Sequence, residues 1–534
     1  MFDEHLPPLL GESADPVAAG WHLRELAQAS VNHASALTDE VASKAELLGK
    51  SDPAILGGLL RVIHTGLLHS FKESDQEAGE SVKTQSLTTI EASIAEDTPN
   101  RHLLLHLLAM ARNEASLSSL IDLLQSRPPQ KWSDAAQAIS PLMQHDDWSV
   151  QWVYPKLLDC MEHASLASPV LDLANYLFRE NRTSEHPAHD RLPMLNVLLG
   201  EVGGRLSKFE ENPRSFGDDV ETVHAMLSEA VALAVSLCDT VGLIGDASSI
   251  AKLNQVVELK HRRVQCEAAG ALARLDDDLG KKRLLELAKD PAARIRAIHY
   301  ADELNFGDSV EDEYRTDAAT AEAEMALWLS QPQQMGVPPT SLEMIESRRL
   351  LWPSFRDPVD VFLVRFEYNF GDRTYSNVGI TGPVTFAMSA DVANLSMDDI
   401  VSIYAGWHAD HPEIFTVNSD AFNEVQTRVM GTLQQHLDRQ GYESNKPELL
   451  GFFLDEQAGV FTAVRDAIQC VVVTDGLETI DQPIAGRLRP LSPGDLFNLY
   501  KGRKMLRTFN PTSQADDDLL ADDRPSGDDS VKES

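Results

Sequence analysis

The chain has 534 residues, with 83 Asp and Glu against 46 Lys and Arg, a formal net charge of −37. At 43% apolar and 24% charged it has the composition of a folded protein of several domains, which excludes collagen, a disulfide mini-protein and a wholly disordered chain. So large a negative charge disfavours coating of nucleic acid or of an anionic membrane, because both repel it.

Residues 16 to about 300 read as one amphipathic helix after another. Leu59, Leu60, Ile63, Leu67 and Leu68 share a helical stripe, as do Leu103, Leu107, Met110 and Ala111, and then Leu117, Leu120, Ile121 and Leu124. Further helices are expected at 168–179 and 219–238. Pro141, Pro155 and Pro193 should mark kinks or fresh helix starts. The most apolar run, 230–244, is broken by Asp239 and is too short to span a bilayer.

An internal echo lies between 249 and 304. Val256-Val257-Glu258-Leu259 returns as Leu284-Leu285-Glu286-Leu287, and Arg263-Val264 returns 31 residues later as Arg294-Ile295. Each unit reads as an apolar helix, a tight turn and a second helix with small residues for close packing. These are Ala268, Ala269 and Ala271 in one unit, Ala297 and Ala301 in the other. Asp290-Pro291 is a good N-cap and first-turn pair. Helix pairs that cannot bury their own faces must stack on neighbours.

This stretch resembles HEAT repeats, in particular the short HEAT-like repeats first known from phycobilin lyases. The residues that carry the resemblance are Asp290, Arg294 and Ile295-Arg296-Ala297 in one unit, and Arg263-Val264 through Ala268-Ala269-Gly270-Ala271-Leu272 in the other. The earlier unit departs from the pattern, with Lys260-His261 where an acidic turn residue is typical. The resemblance implies an α-solenoid that acts as an interaction surface; lyase or isomerase activity belongs to a minority of such proteins.

From 302 to 324 the chain turns acidic, and Gln331 to Pro339 reads as a linker. A short helix is expected at 341–351. After about 355 the period changes from 3.6 to 2: Phe362, Val364, Phe366, Tyr368 and Phe370 predict a strand with one apolar face, Gly371-Asp372 a turn, and 375–381 its hairpin partner. Ser396 with Asp399 resembles a capping box, opening a helix with Ile400, Ile403, Tyr404 and Trp407 on one face. Residues 413–417 read as a short strand. A helix capped by Asn418 or Ser419 carries Phe422, Val425, Val429, Leu433 and Leu437 and stops at Gly441. Strands follow at 449–454, 460–464 and 470–473. The expected fold is thus multidomain: an all-α solenoid of HEAT-like helix pairs over 16–305, an acidic and Pro-rich linker with a short helix over 306–354, an α+β domain over 355–511, and a disordered acidic tail over 512–534.

Cys160, Cys238, Cys266 and Cys470 form no C-x-x-C pair, and Met1-Phe2-Asp3-Glu4-His5 has no apolar h-region. Buried thiols in a cytoplasmic protein are the expectation. Catalytic signatures are mostly missing. Gly49-Lys50-Ser51 ends like a P-loop, but Lys44 stands where its first glycine is needed. His408, Asp410, His411 and Glu413 offer four potential metal ligands, yet they lie at a helix end where such groups are ordinarily solvated. Glycines in 368–372 and 377–383 fit hairpin ends, or a ligand's approach to the backbone.

The segment 484–511 stands out, because Arg487, Arg489, Lys501, Arg503, Lys504 and Arg507 face only Asp495, with aromatics interleaved. Such cations bind an anionic partner, or pair internally with the acidic linker and tail. Six charges in so acidic a chain are few for nucleic acid. The expected function is a non-enzymatic scaffold or adaptor that binds another protein, with no cofactor, metal or membrane partner. The 487–507 segment would dock its anionic partner. The alternative is an enzyme with its site in the α+β domain.

Overall fold

The computed structural model describes residues 2–12, 14–30, 33–73, 83–217, 219–331, 333–350, 352, 355, 358–371, 373–388, 392–393, 397–408, 424–453 and 458–483. The chain divides into two compact units. One runs up to Leu287 and includes Arg296–Ser309; the other comprises Ala288–Ile295 and the chain from Val310 on.

Helices fill the first part of the chain. They are α1 (Pro16–Ser30), α2 (Ala34–Ser43), α3 (Ala45–Leu48), α4 (Pro53–Glu73), α5 (Thr84–Ser93), α6 (His102–Ala111), α7 (Glu114–Ser126), α8 (Trp132–Ile139) and α9 (Pro141–Gln144). There follow α10 (Val150–Asp159), α11 (Ala164–Arg179), α12 (Leu192–Glu211), α13 (Val220–Ile244), α14 (Ile250–Val256), α15 (Arg262–Arg274), α16 (Asp278–Leu287), α17 (Pro291–Glu303) and α18 (Asp317–Leu329). The leucine stripes at 59–68, 103–111 and 117–124 lie on α4, α6 and α7, with most of their residues buried. Pro141 opens α9, Pro155 sits inside α10, and Pro193 is in the first turn of α12.

Besides contacts between sequence neighbours such as α12 with α13 and α15 with α16, two series of helices pack on partners further along the chain. Helices α1, α4, α6, α8, α11, α13 and α15 touch in that order, as do α2, α5, α7 and α10, while α12 touches α14. Small residues set the spacing. A Cβ at Gly242 of α13 would lie 2.9 Å from the Ala271 Cβ of α15, and one at Gly270 would lie 2.5 Å from the Tyr300 ring of α17.

Two sequence expectations change in this region. Helix α13 has 25 residues, so the 230–244 run sits within a longer helix that also carries Glu221, His224 and Glu229. It is the one helix among the described residues long and apolar enough to cross a membrane, with 61% of its most apolar window buried against protein. The echo between helix pairs also shifts: α15 and α17 both have 13 residues and start 29 apart, not 31. In that register Gln265 matches Arg294. Each is buried and reaches back to a carbonyl of the preceding turn: Gln265 Nε2 to Val257 O (3.0 Å), Arg294 Nε to Ala288 O (3.1 Å). Arg263 is exposed instead.

The second unit carries two antiparallel sheets. Strands β1 (Ser341–Leu350), β2 (Val359–Phe370) and β3 (Arg373–Thr381) form a meander, with Gly371 at φ +62° in the β2–β3 turn. The expected helix at 341–351 is β1. Its register shifts between Met344 and Glu346, so a bulge breaks the alternation and spaces Leu342 and Ile345 as on a helix. Strand β2 is apolar on both faces rather than one. Val364, Phe366 and Tyr368 pack with Ala321, Met325 and Leu329 of α18. Val361 and Leu363 pack with Ile400, Val401 and Tyr404 of α19 (Met397–His408). The supposed linker 306–354 thus contains a helix and a strand of this unit.

Helix α20 (Glu424–Arg439) ends before Gly441, at φ +84°. Its Leu433 and Leu437 cover Phe461, Ala463, Cys470 and Val472 of the second sheet. That sheet has the order β4 (Glu443–Phe453), β5 (Ala458–Arg465), β6 (Ile468–Thr474), β7 (Thr479–Pro483). The β6–β7 turn is held by Asp475 Oδ1, which accepts from Leu477 N (2.9 Å) and Glu478 N (2.8 Å). The expected cap at Ser396, the strand at 413–417, the first residues of the α20 helix and the acidic tail lie outside the described residues.

Candidate functional site

Helices α11, α13, α15 and α17 each carry polar residues at helical spacing: Ser168, Asp172, Asn175 and Arg179; Ser236, Asp239 and Thr240; Arg263, Glu267 and Arg274; Arg296, Tyr300 and Glu303. Helices α11, α13 and α15 pack in succession and α17 meets α15 through side chains, so the stripes meet. Arg179 donates to both oxygens of Asp239, one at 2.7 Å. Arg296 grips Glu267 in the same two-pronged way, at 2.8 and 3.1 Å, and also donates to the Tyr300 hydroxyl, which donates to Glu267. Arg274 donates to Glu303 at 2.9 Å.

Beneath these ion pairs lies a buried neutral network. The His186 Nδ1 accepts from Ala188 N (3.2 Å), so its proton sits on Nε2 and is donated to Asn175 Oδ1 (3.1 Å). Thr240 also donates to Asn175 Oδ1 (2.9 Å). Burial holds His186 neutral by pulling its pKa down to about 4.

Asp172 differs from the other acids of the stripe. It is exposed to solvent, and no ion pair of its own is found among the described residues. Its carboxylate accepts from the Ser236 hydroxyl at 2.6 Å, and Ser236 lies 2.8 Å from Ser168. Crowding by the surrounding helices raises its pKa to about 6; the Ser236 hydrogen bond and Arg263 oppose the rise, and Asp239 adds to it. Asp172, Arg179, Arg263 and Arg296 are all solvent-accessible. The stripe can therefore present charge to a partner from a preorganised base.

The thiols nearby offer little chemistry. Cys238 and Cys266 are buried, and burial pushes both pKa values up, which removes the nucleophilic thiolate.

The residues singled out in the sequence fare differently. Arg487, Arg489, Lys501, Arg503, Lys504 and Arg507 lie outside the described residues, as do Asp410, His411 and Glu413. His408 is described: its Nδ1 accepts from the buried Trp352 indole N–H at 2.9 Å, so that nitrogen is committed to packing. Among the described residues no group of three or more potential ligands could hold a metal. Ser51 of the P-loop lookalike accepts from Gly11 N (2.7 Å) and donates to Leu47 O (2.8 Å). At Gly379 the space a side chain would fill holds Met325 of α18, not a ligand.

The stripe itself was missed from sequence. Its one signal there was Asp239, which interrupts an apolar run for no local reason. Comparison with protein-family models, with curated proteins and with solved structures finds no match to this chain.

Proposed function

We propose that the chain is a non-enzymatic protein-interaction scaffold. In this reading its helical part is a HEAT-like solenoid and the stripe on α11, α13, α15 and α17 is a recognition face. Two series of helices, each touching in order, support the solenoid. So does the matched Gln265 and Arg294 pair. The atypical Lys260-His261 turn gets its acid from elsewhere: Glu210 of α12 accepts from Lys260 N (2.7 Å) and His261 N (3.1 Å), at the N-terminus of α15. In the later unit Asp290 serves its own helix by accepting from Ala292 N (3.0 Å).

The observation that carries the function is the row of solvent-accessible charges fixed by cross-helix pairs, with Asp172 left for a partner. The basic residues Arg487 to Arg507 remain the proposed dock for an anionic partner, and four free buried cysteines suit a reducing compartment such as the cytoplasm.

The test is an affinity capture from native lysate, read by mass spectrometry, with three baits: the natural chain, Asp172→Ala with Arg263→Ala, and Ala at the six basic positions. Circular dichroism checks that each bait is folded. A protein retained by the natural chain and lost from the stripe variant supports the recognition face. Loss only from the basic variant moves the contact to 487–507. No specific protein on any bait removes the scaffold reading.

A further inference from the structure

His64 of α4 and His106 of α6 meet in the seam between those helices. Their Nε2 and Nδ1 atoms are 3.1 Å apart, and the rings cross edge to face at 66°. Each residue is only 9% exposed, and Leu60, Ile63, Leu67, Leu103 and Leu107 on the same two helices are buried. The same seam is tight further along. A Cβ at Gly57 would lie 2.8 Å from Pro99, and Asn100 donates to Gly57 O at 2.9 Å. The helices therefore have little room to shift while the rings are in contact.

A nitrogen pair at this distance needs one proton between its members, one ring donating and the other accepting. With both rings fully protonated, two N–H groups face each other and two like charges share an apolar seam. We propose that the His64–His106 pair is an acid-operated latch: it holds α4 on α6 while at least one ring is neutral, and releases the seam when both become charged.

The surrounding groups supply little compensation. His102, one turn from His106 on α6, adds its own positive charge on protonation; it is tied to Gln137 (2.9 Å) and Asp134 (3.5 Å) of α8. Acids on the other packed helices are engaged: Asp39 of α2 with Lys83 and Ser86, Glu40 with Lys44, and Glu91 of α5 with Arg101 and Arg127. His22 of α1 contacts His5, 3.3 Å away. Among the described residues no hydrogen bond or ion pair joins Arg24 or Glu25 of α1, or Glu114 or Asp122 of α7, to either ring. Burial already pulls both rings down to about 4, so the seam is closed at neutral pH and loosens as pH falls from about 6.5 towards that value.

Hydrogen exchange of the full chain, read by mass spectrometry at pH 7 and pH 5 and corrected for the intrinsic rate, tests this. In the natural chain, protection over 53–73 and 102–111 should fall by about tenfold or more at pH 5, while β2 and β3 change little. His64→Leu with His106→Leu should remove the difference. His106→Asn, which keeps a neutral hydrogen-bonding partner and leaves one titrating ring, should reduce it and serves alone if the double variant does not fold. Equal protection at the two pH values in the natural chain overturns the latch, and so does an acid response that survives unchanged in His106→Asn.

Discussion

The two units differ in how much of their buried polarity is paired side chain to side chain. In the helical unit, polar side chains pair with one another across helix contacts: Glu91 with Arg101 and Arg127, His64 with His106, Asn175 with His186 and Thr240, Glu267 with Arg296 and Tyr300. In the sheet-bearing unit they mostly serve the backbone. Tyr404 donates to Val378 O (2.6 Å), Asn377 donates to Met388 O (3.1 Å), and Thr474 donates to Glu478 O (2.8 Å). A sheet satisfies its strand backbones across the ladder, and its register is fixed by the hydrophobic pattern and the turns, so its buried polar side chains are left mainly to tie loops and neighbouring helices to it. Helices satisfy their backbones internally, so their relative placement is left to side chains, apolar ridges and polar pairs alike.

The largest effect expected from this contrast is at Glu91, whose side chain is fully buried between two arginines. Glu91→Ala strands two cations and should cost about 3–5 kcal/mol in urea unfolding. A loss below about 1 kcal/mol would show that the pairs do not organise the helical unit.

Acid is next. His64, His106 and His186 are each held at about 4 when folded, against about 6.5 unfolded. The folded state binds fewer protons in that window, so stability falls as pH drops from 6.5 to 4. At pH 5 each such ring costs on the order of 1–2 kcal/mol. Asp172 acts the other way, since a carboxyl raised to about 6 becomes less costly as it is protonated below that pH. Three rings outweigh one acid. Urea midpoints at pH 7 and 5 should therefore fall more for the helical transition than for the sheet transition, and equal shifts would dissolve the contrast.

Packing sharpens it further. Gly280 of α16 abuts the α15 backbone, with Ala269 O 2.7 Å from the position of an added Cβ. Backbone cannot yield, so Gly280→Ala should lower stability by about 1–3 kcal/mol. Gly379→Ala in β3 meets chiefly the flexible end of Met325 and should cost under about 1 kcal/mol. Thermal melts of the two variants decide whether the order holds. The smallest change is at Asn113, whose Oδ1 caps α7 by accepting from Ser116 N (2.9 Å); Asn113→Ala should cost about 1 kcal/mol by the same measurement.

Element types were legible in the chain wherever burial is one-sided and unbroken. The leucine stripes of α4, α6 and α7 and the β2–β3 hairpin could be read because a single face repeats at 3.6 or 2 residues. Strand β1 was misread, because a bulge between Met344 and Glu346 mixes the two periods. Periodicity also could not show that both faces of β2 are covered, which depends on α18 and α19. Which polar residues share a site emerges from packing alone. Asp172 and Ser236 are 64 positions apart, His64 and His106 are 42 apart, and Glu210 reaches a turn 50 positions on. Periodicity reports how each helix faces its core. Which stripes then meet is set by the order in which helices stack, and that order is a property of the packed chain.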